Sequence, residues 1–166
     1  MSKSTSTNGK RAHRQPGFES ERRDALEAFE TALATPLVEG EMAEWSRLVQ
    51  HTWSRVAALV RFQLDVVHRK QFKEIAETDP EMFKRVEELE SEDVEIRAQL
   101  DNLAVAISHV SWAPQAAERT PAATVSDVQQ RIIDAGIAFV VQVRKQEVAI
   151  NTWFQEAFNR DRGVGD

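Results

Sequence analysis

The 166-residue chain contains no cysteine and no tyrosine, and it has only six glycines and five prolines. The lack of cysteine excludes disulfides, thiolate metal sites and cysteine nucleophiles, and it is typical of an intracellular protein. The low glycine and proline content leaves few signals for β-hairpins, and the apolar residues recur at helical spacing. We therefore expect an all-α protein.

Long hydrophobic segments are also lacking, both at the N-terminus and elsewhere. The most apolar run, residues 132–143, is too short to span a membrane and contains Asp134 and Gln142. The formal charge is −6, and residues 1–17 hold four basic and no acidic side chains, so the remainder carries −10. An acidic body disfavours nucleic acid as a partner. We expect a cytoplasmic protein with neither a nucleic-acid nor a membrane partner.

Four amphipathic segments follow residues 1–17, whose basic, Ser/Thr-rich composition predicts a disordered arm. Apolar spacing predicts helices over about residues 18–34, 41–78, 80–110 and 126–159, with a long loop at 112–124. The third helix has the clearest apolar face, formed by Met82, Val86, Leu89, Ile96, Leu100, Leu103, Ile107 and Val110. We expect residues 18–162 to form an up-down-up-down antiparallel four-helix bundle.

Polar residues interrupt the inner face of each predicted helix: Arg22, Gln63, Asp93, Gln142 and Gln146. In an antiparallel bundle they can share one layer, which is where such folds place metals and cofactors. We predict that Arg22 pairs with Asp93, flanked by Gln63 and Gln142, so that hydrogen bonds close the core. In the alternative, Gln63 and Gln142 lie at the rim and extend outward.

Metal-ligating side chains are scarce on these faces. Ferritin-like di-iron bundles use a Glu-x-x-His pair on each of two helices. This chain has one related pair, Asp65 with His68, and its other histidines are His13, His51 and His109. None has a carboxylate four residues later, so we expect all four to be surface or half-buried imidazoles. The sequence also lacks a Gly-rich phosphate loop and a serine-based catalytic constellation, so nothing in it indicates an enzyme.

Residues 56–63, 89–103 and 139–147 carry a resemblance. They resemble the second, third and fourth helices of the hemerythrin-like (HHE cation-binding) family, and helix order and lengths match over about residues 18–162. The resemblance implies a bundle that holds a di-iron centre through imidazoles and carboxylates. At the family's ligand positions this chain instead has Arg22, Gln63, Val67, Asp93, Gln142 and Gln146. Amide side chains are poor iron ligands, and a fixed arginine charge opposes a dication.

Two functions follow from the resemblance. The favoured one is a non-catalytic, metal-free, cofactor-free hemerythrin-like module for interaction or sensing, whose partner is an unknown protein or a second copy of this chain. The alternative is a di-iron protein that binds oxygen or nitric oxide through an unusual ligand set, Asp65, His68, Asp93 and Glu147. Binding of a small ligand in a bundle pocket is a third possibility.

Two large aromatic residues of the second helix bear on the partner. Trp53 lies beside the main apolar face of this helix, and Phe62 follows nine residues later. If both side chains were exposed, they would mark an interface. The alternative is that both are buried against the first or fourth helix, as is usual for large aromatics in a bundle.

Overall fold

Helices account for nearly all of the residues that the computed structural model describes, which are 16–36, 41–116 and 122–160. They are α1 (Pro16–Ala34), α2 (Met42–Phe62), α3 (His68–Thr78), α4 (Phe83–Ala116) and α5 (Ala122–Arg160). A π-helical segment, Gln63–Val67, joins α2 to α3 without a break, so the helices form four rods. Within these ranges no strand occurs, which confirms the all-α prediction. None of the described helices is long and apolar enough to cross a membrane.

Helix boundaries follow the sequence signals closely at one end of the bundle and less closely at the other. Asp79 caps the turn before α4 by accepting a hydrogen bond from the Glu81 backbone N–H at 3.0 Å, and Pro80 opens the 3-10 turn Pro80–Met82. The predicted loop at 112–124 was wrong in extent, because α4 continues to Ala116 and α5 begins at Ala122. A helix that has already formed can extend without burying an apolar face. The predicted arm, apart from its last two residues, and residues 161–162 lie outside the described residues.

Two clusters of buried apolar side chains form the interior. The large cluster draws on α1, α2, α4 and α5. At its centre, Trp53 contacts Phe29 at a tilt and Phe139 edge to face, each pair 5.2 Å between ring centroids. The small cluster consists of Phe72, Ile75, Met82, Val86, Leu89, Ile150 and Ala157. Among the described side chains, none from α1 belongs to it. One half of the molecule is therefore enclosed by four helices and the other half by α3, α4 and α5.

The rods are arranged as a ring in which α1 contacts α2 and α5, and α4 also contacts α2 and α5. The apolar face predicted for the third helix is confirmed in full, because all eight of its apolar members are buried. Trp53 is also buried, whereas Phe62 is 43% exposed, so the condition for a Trp53–Phe62 interface is not met, and the alternative that both are buried holds for Trp53 only. Trp53 lies inward because α2 uses a wide apolar face to contact both α1 and α5 aromatics.

The contact between α1 and α5 is close at Gly136. A Cβ added to this glycine would lie 2.5 Å from Cδ1 of Leu33 and 3.3 Å from Cζ of Phe29. Both neighbours are fully buried, so they have little room to move aside. The absence of a side chain at position 136 is therefore what permits α1 to pack at this distance.

Candidate functional site

A layer of polar side chains separates the two apolar clusters. His68, Asp93 and Gln146 each have a large-cluster residue one helical turn to one side and a small-cluster residue one turn to the other. These flanking pairs are Leu64 and Phe72, Ile96 and Leu89, and Val143 and Ile150, respectively. Residues three or four apart lie on the same face of a helix. The three polar side chains therefore share one level of the interior.

His68 is the centre of this layer and is only 1% exposed. Its Nδ1 lies 2.7 Å from Asp93 Oδ1, and its Nε2 lies 2.8 Å from Gln63 Nε2. Since an amide nitrogen can only donate, Gln63 donates to Nε2, and the ring proton is on Nδ1, where it is donated to Asp93. This tautomer follows from the hydrogen-bond partners. Both ring nitrogens of His68 are thus engaged within the protein.

Asp93 accepts a second hydrogen bond, from Gln146 Nε2 at 2.7 Å. The same amide also reaches the backbone carbonyl of Leu89 at 3.3 Å. The Asp93 side chain is 13% exposed, and Gln146 is 2% exposed. Removing this carboxylate would leave two buried donors without an acceptor, at a cost of about 1–3 kcal/mol for each. The Asp93 side chain therefore links its own helix, α4, to α3 through His68 and to α5 through Gln146.

The π-helical segment explains why Gln63 and His68 meet. In an α-helix, residues five apart lie about 140° from each other around the axis. Here the His68 backbone N–H bonds to the Gln63 carbonyl, so five residues complete one turn and both side chains face inward. The prediction of a surface or half-buried His68 was wrong because it assumed unbroken α-helical spacing, which places Val67 inward. Counting backward from Phe72 in steps of four residues gives His68 and Leu64. This spacing was the signal in the sequence that places His68 on the buried face.

Arg22 does not pair with Asp93 as predicted; it forms an ion pair with Glu147. The physical reason is the ring order, because α1 neighbours α2 and α5, whereas Asp93 is on α4. Arg22 is 3% exposed, and burial lowers the pKa of its guanidinium below the ordinary value, an effect opposed by the charges of Glu147 and Glu19. The Glu147 side chain is 31% exposed. This ion pair therefore lies at the edge of the polar layer.

Gln142 lies apart from the layer. It is half-buried, and its Oε1 accepts a 2.7 Å hydrogen bond from Gln99 Nε2 where α4 packs on α5. The predicted place for Gln142 beside the central acid was wrong, because its position on α5 turns toward α4 rather than toward the interior. Gln63, in contrast, is 5% exposed, so the rim alternative applies to Gln142 only.

Three buried polar atoms of the described residues have no hydrogen-bond partner: Arg22 Nε, Gln63 Oε1 and Trp45 Nε1. Arg22 and Gln63 concern the polar layer, whereas Trp45 belongs to the large cluster. A buried polar atom without a partner costs about 1–3 kcal/mol, so each such atom calls for an explanation. The Arg22 and Gln63 side chains line one pocket of about 170 Å³. The polar layer thus continues into a cavity.

The residues of this layer do not fit a di-iron centre. In the described part of the chain, no group of three or more His, Asp or Glu side chains is placed to hold a metal. Of the alternative ligand set, Asp65 is nearly half exposed and accepts a 2.9 Å hydrogen bond from Arg97. Glu147 is held by Arg22, and His68 and Asp93 hold each other. The four residues are therefore not gathered at one point.

Neither a protein-family model, nor a curated protein, nor a solved structure matches this chain. The likeness to hemerythrin-like domains accordingly stays a prediction that is based on residues 56–63, 89–103 and 139–147. What the chain offers for a functional argument is the geometry of the polar layer and the pocket beside it.

Proposed function

We propose that this chain is a non-catalytic, metal-free module of hemerythrin-like type that acts in interaction or sensing. The observation that carries the proposal is the use of both His68 nitrogens in hydrogen bonds to Asp93 and Gln63. An imidazole must free one nitrogen before it can bind iron. The Arg22 guanidinium beside this layer adds a positive charge that opposes a dication. Side chains alone therefore fill the level at which the related family holds its metal.

The proposed architecture is an up-down-up-down antiparallel bundle. Between α1 and α5, the contacts Arg22–Glu147 and Glu30–Arg144 run in opposite directions along the two helices. Between the second rod and α4, the contacts Arg61–Asp101, Asp65–Arg97 and His68–Asp93 also run oppositely. Opposed numbering of this kind supports antiparallel neighbours, which short connections between rods favour.

The proposed setting is the cytoplasm, which fits the cysteine-free composition. The proposed partner is an unknown protein or a second copy of this chain, because the acidic body disfavours nucleic acid. A module of this kind would transmit the presence of a ligand or a partner through its packing and would perform no chemistry of its own.

The decisive experiment measures metal content. The protein is expressed in iron-supplemented medium, purified without chelators and analysed for iron and zinc, before and after anaerobic incubation with Fe(II). We expect iron well below one atom per chain and no visible charge-transfer absorption. Asp93→Asn is the test variant, and His51→Ala, which changes an exposed histidine, is its control. Two iron atoms per chain, lost in Asp93→Asn and kept in His51→Ala, would establish the di-iron alternative instead.

A further inference from the structure

The pocket lies where the first described turns of α1 meet the second rod and α5. Its walls come from α1, the end of α2, the π-helical segment, α3 and α5, and they include Phe18, Phe62, Val66, Ile150 and Phe154. The volume of about 170 Å³ is close to that of a cavity of about 150 Å³ that accepts benzene. The pocket is therefore large enough for one small ring.

The rim is aromatic and partly exposed. Phe18 and Phe62 meet edge to face at 5.1 Å between ring centroids, with 62° between the planes. Phe62 is 43% exposed and Val66 is 50% exposed, although both border a concave site. Exposed apolar side chains around a concavity that also holds a few polar groups are typical of small-molecule sites.

Directly behind the pocket lining lie one donor and one acceptor, both shielded from solvent. Arg22 Nε carries a hydrogen and Gln63 Oε1 carries lone pairs, and within the described chain neither has a partner. Both side chains are more than nine-tenths buried. A head group that offers an acceptor to Arg22 and a donor to Gln63 complements both atoms. A primary carboxamide or a lactam has this combination.

The charges of the pocket select against ions. Arg22 is already paired with Glu147, and Lys70 lies 3.9 Å from Glu74. Glu19 adds a further negative charge close to Arg22. An anionic ligand would meet this excess of acid, whereas a cationic ligand would be repelled by the Arg22 guanidinium.

We infer that this pocket binds a small neutral molecule with a carboxamide-type head group and a single apolar ring, the ring packed against Phe18, Phe62 and Phe154 and the head group directed toward Arg22 and Gln63. The inference rests on the sensing role proposed above and names the class of ligand that would be sensed.

Three probes with one ring and different head groups test it: benzamide, benzoate and benzylammonium. Binding is measured by titration calorimetry and by backbone-amide NMR shifts of the full chain. We expect benzamide to bind at least about tenfold more tightly than either ion, as one well-made polar contact allows. Its shifts should centre on residues 62–68 and 150–154. Equal or tighter binding of an ion, shifts centred elsewhere, or no binding of benzamide would each overturn the inference.

Variants assign the binding to the pocket. Phe62→Ala changes an exposed rim residue and should weaken benzamide binding at least about fivefold, because one ring wall is lost. Phe83→Ala, which removes a ring that is 59% exposed and outside the pocket, should leave it unchanged. Gln63→Leu, if it folds, should remove the preference for benzamide over benzoate. Equal effects of Phe62→Ala and Phe83→Ala would contradict the assignment. A failure of benzamide leaves the metal measurement standing, so the two proposals fail separately.

Discussion

The half of the molecule around the large apolar cluster and the half around the small one differ in how completely they are enclosed. Four helices surround Phe29, Trp53 and Phe139. Among the described elements, α3, α4 and α5 supply the side chains of the small cluster. The polar layer and the pocket both lie at the boundary between the two clusters. The site is therefore found where the enclosure of the interior changes.

The largest effect should come from a deletion that changes the helix register within α2, and a deletion in the π segment is its matched comparison. Deleting Ser54 removes one residue from α2. The residues that follow, up to the π segment, then rotate by about 100° relative to those before the deletion, which turns Val56 and Val60 away from the large cluster. We expect this variant to lose its cooperative unfolding transition. Deleting Val66 removes the additional residue of the π segment and leaves Gln63 and His68 four apart, on one face of an α-helix.

Deletion of Val66 should therefore retain the fold and change the free energy of unfolding by no more than about 1 kcal/mol. Both deletions remove an exposed residue of the same rod, so they form a matched pair. Circular dichroism with urea titration compares them. If the two deletions prove equally damaging, the π segment does not act as a one-residue insertion.

The same aromatic truncation in each half measures the difference in enclosure. Phe139→Ala should lower the free energy of unfolding by about 3–5 kcal/mol, because its ring is fully buried among four helices. Phe72→Ala should cost about 2–3 kcal/mol, since its surroundings are thinner and can relax toward the open side. Urea unfolding of both variants gives the comparison. A larger cost for Phe72 would reverse our ranking of the two halves.

Breaking the layer between the halves should be more costly than replacing it. Asp93→Leu leaves the His68 Nδ1–H and the Gln146 amide without their acceptor, and we expect a loss of about 2–4 kcal/mol. Changing Gln63, His68, Asp93 and Gln146 to leucine together removes donors and acceptors alike, and should cost less than the single change. Urea unfolding measures both. A quadruple variant less stable than Asp93→Leu would mean that these three bonds do not form a closed set.

Among the substitutions, the smallest effect should come from the edge of the layer. Glu147→Gln removes the charge facing buried Arg22, and we expect a loss of about 1–2 kcal/mol, reduced from that of a deep pair because Glu147 is one-third exposed. Burial lowers the pKa of Arg22, so the unfolded chain holds its proton to higher pH, and this group favours folding only as pH rises beyond the lowered pKa.

At neutral pH Arg22 stays charged in both states, so its part of the loss in Glu147→Gln should not vary between about pH 6 and 8. Urea unfolding at several pH values checks this, with Glu30→Gln as the control, since Glu30 faces Arg144 on the same pair of helices. A loss that disappears within this range would assign the effect to another titrating group.

The sequence predicted which polar residues lie inside better than it predicted their partners. Asp93 and Gln146 interrupt long, regular apolar faces, so spacing alone predicts an inward position for each. Partners depend on which helices become neighbours, and the ring places Arg22 beside α5 instead of α4. His68 was missed because five residues form one turn there, so that counting forward from Gln63 places Val67 inward, whereas counting backward from Phe72 places His68 inward.

The close contact at Gly136 fixes the C-terminal half of α1, and the Arg22–Glu147 ion pair fixes its N-terminal half. On the N-terminal side of Arg22, the described part of α1 is less than two turns long, and its Phe18 lines the pocket. Fraying of this helix should therefore be confined to the part before Arg22, while the segment around Leu33 exchanges its amide hydrogens only with global opening. The α1 wall of the pocket is then the first described part of the molecule to unfold locally, and a bound ligand would stabilise this same part.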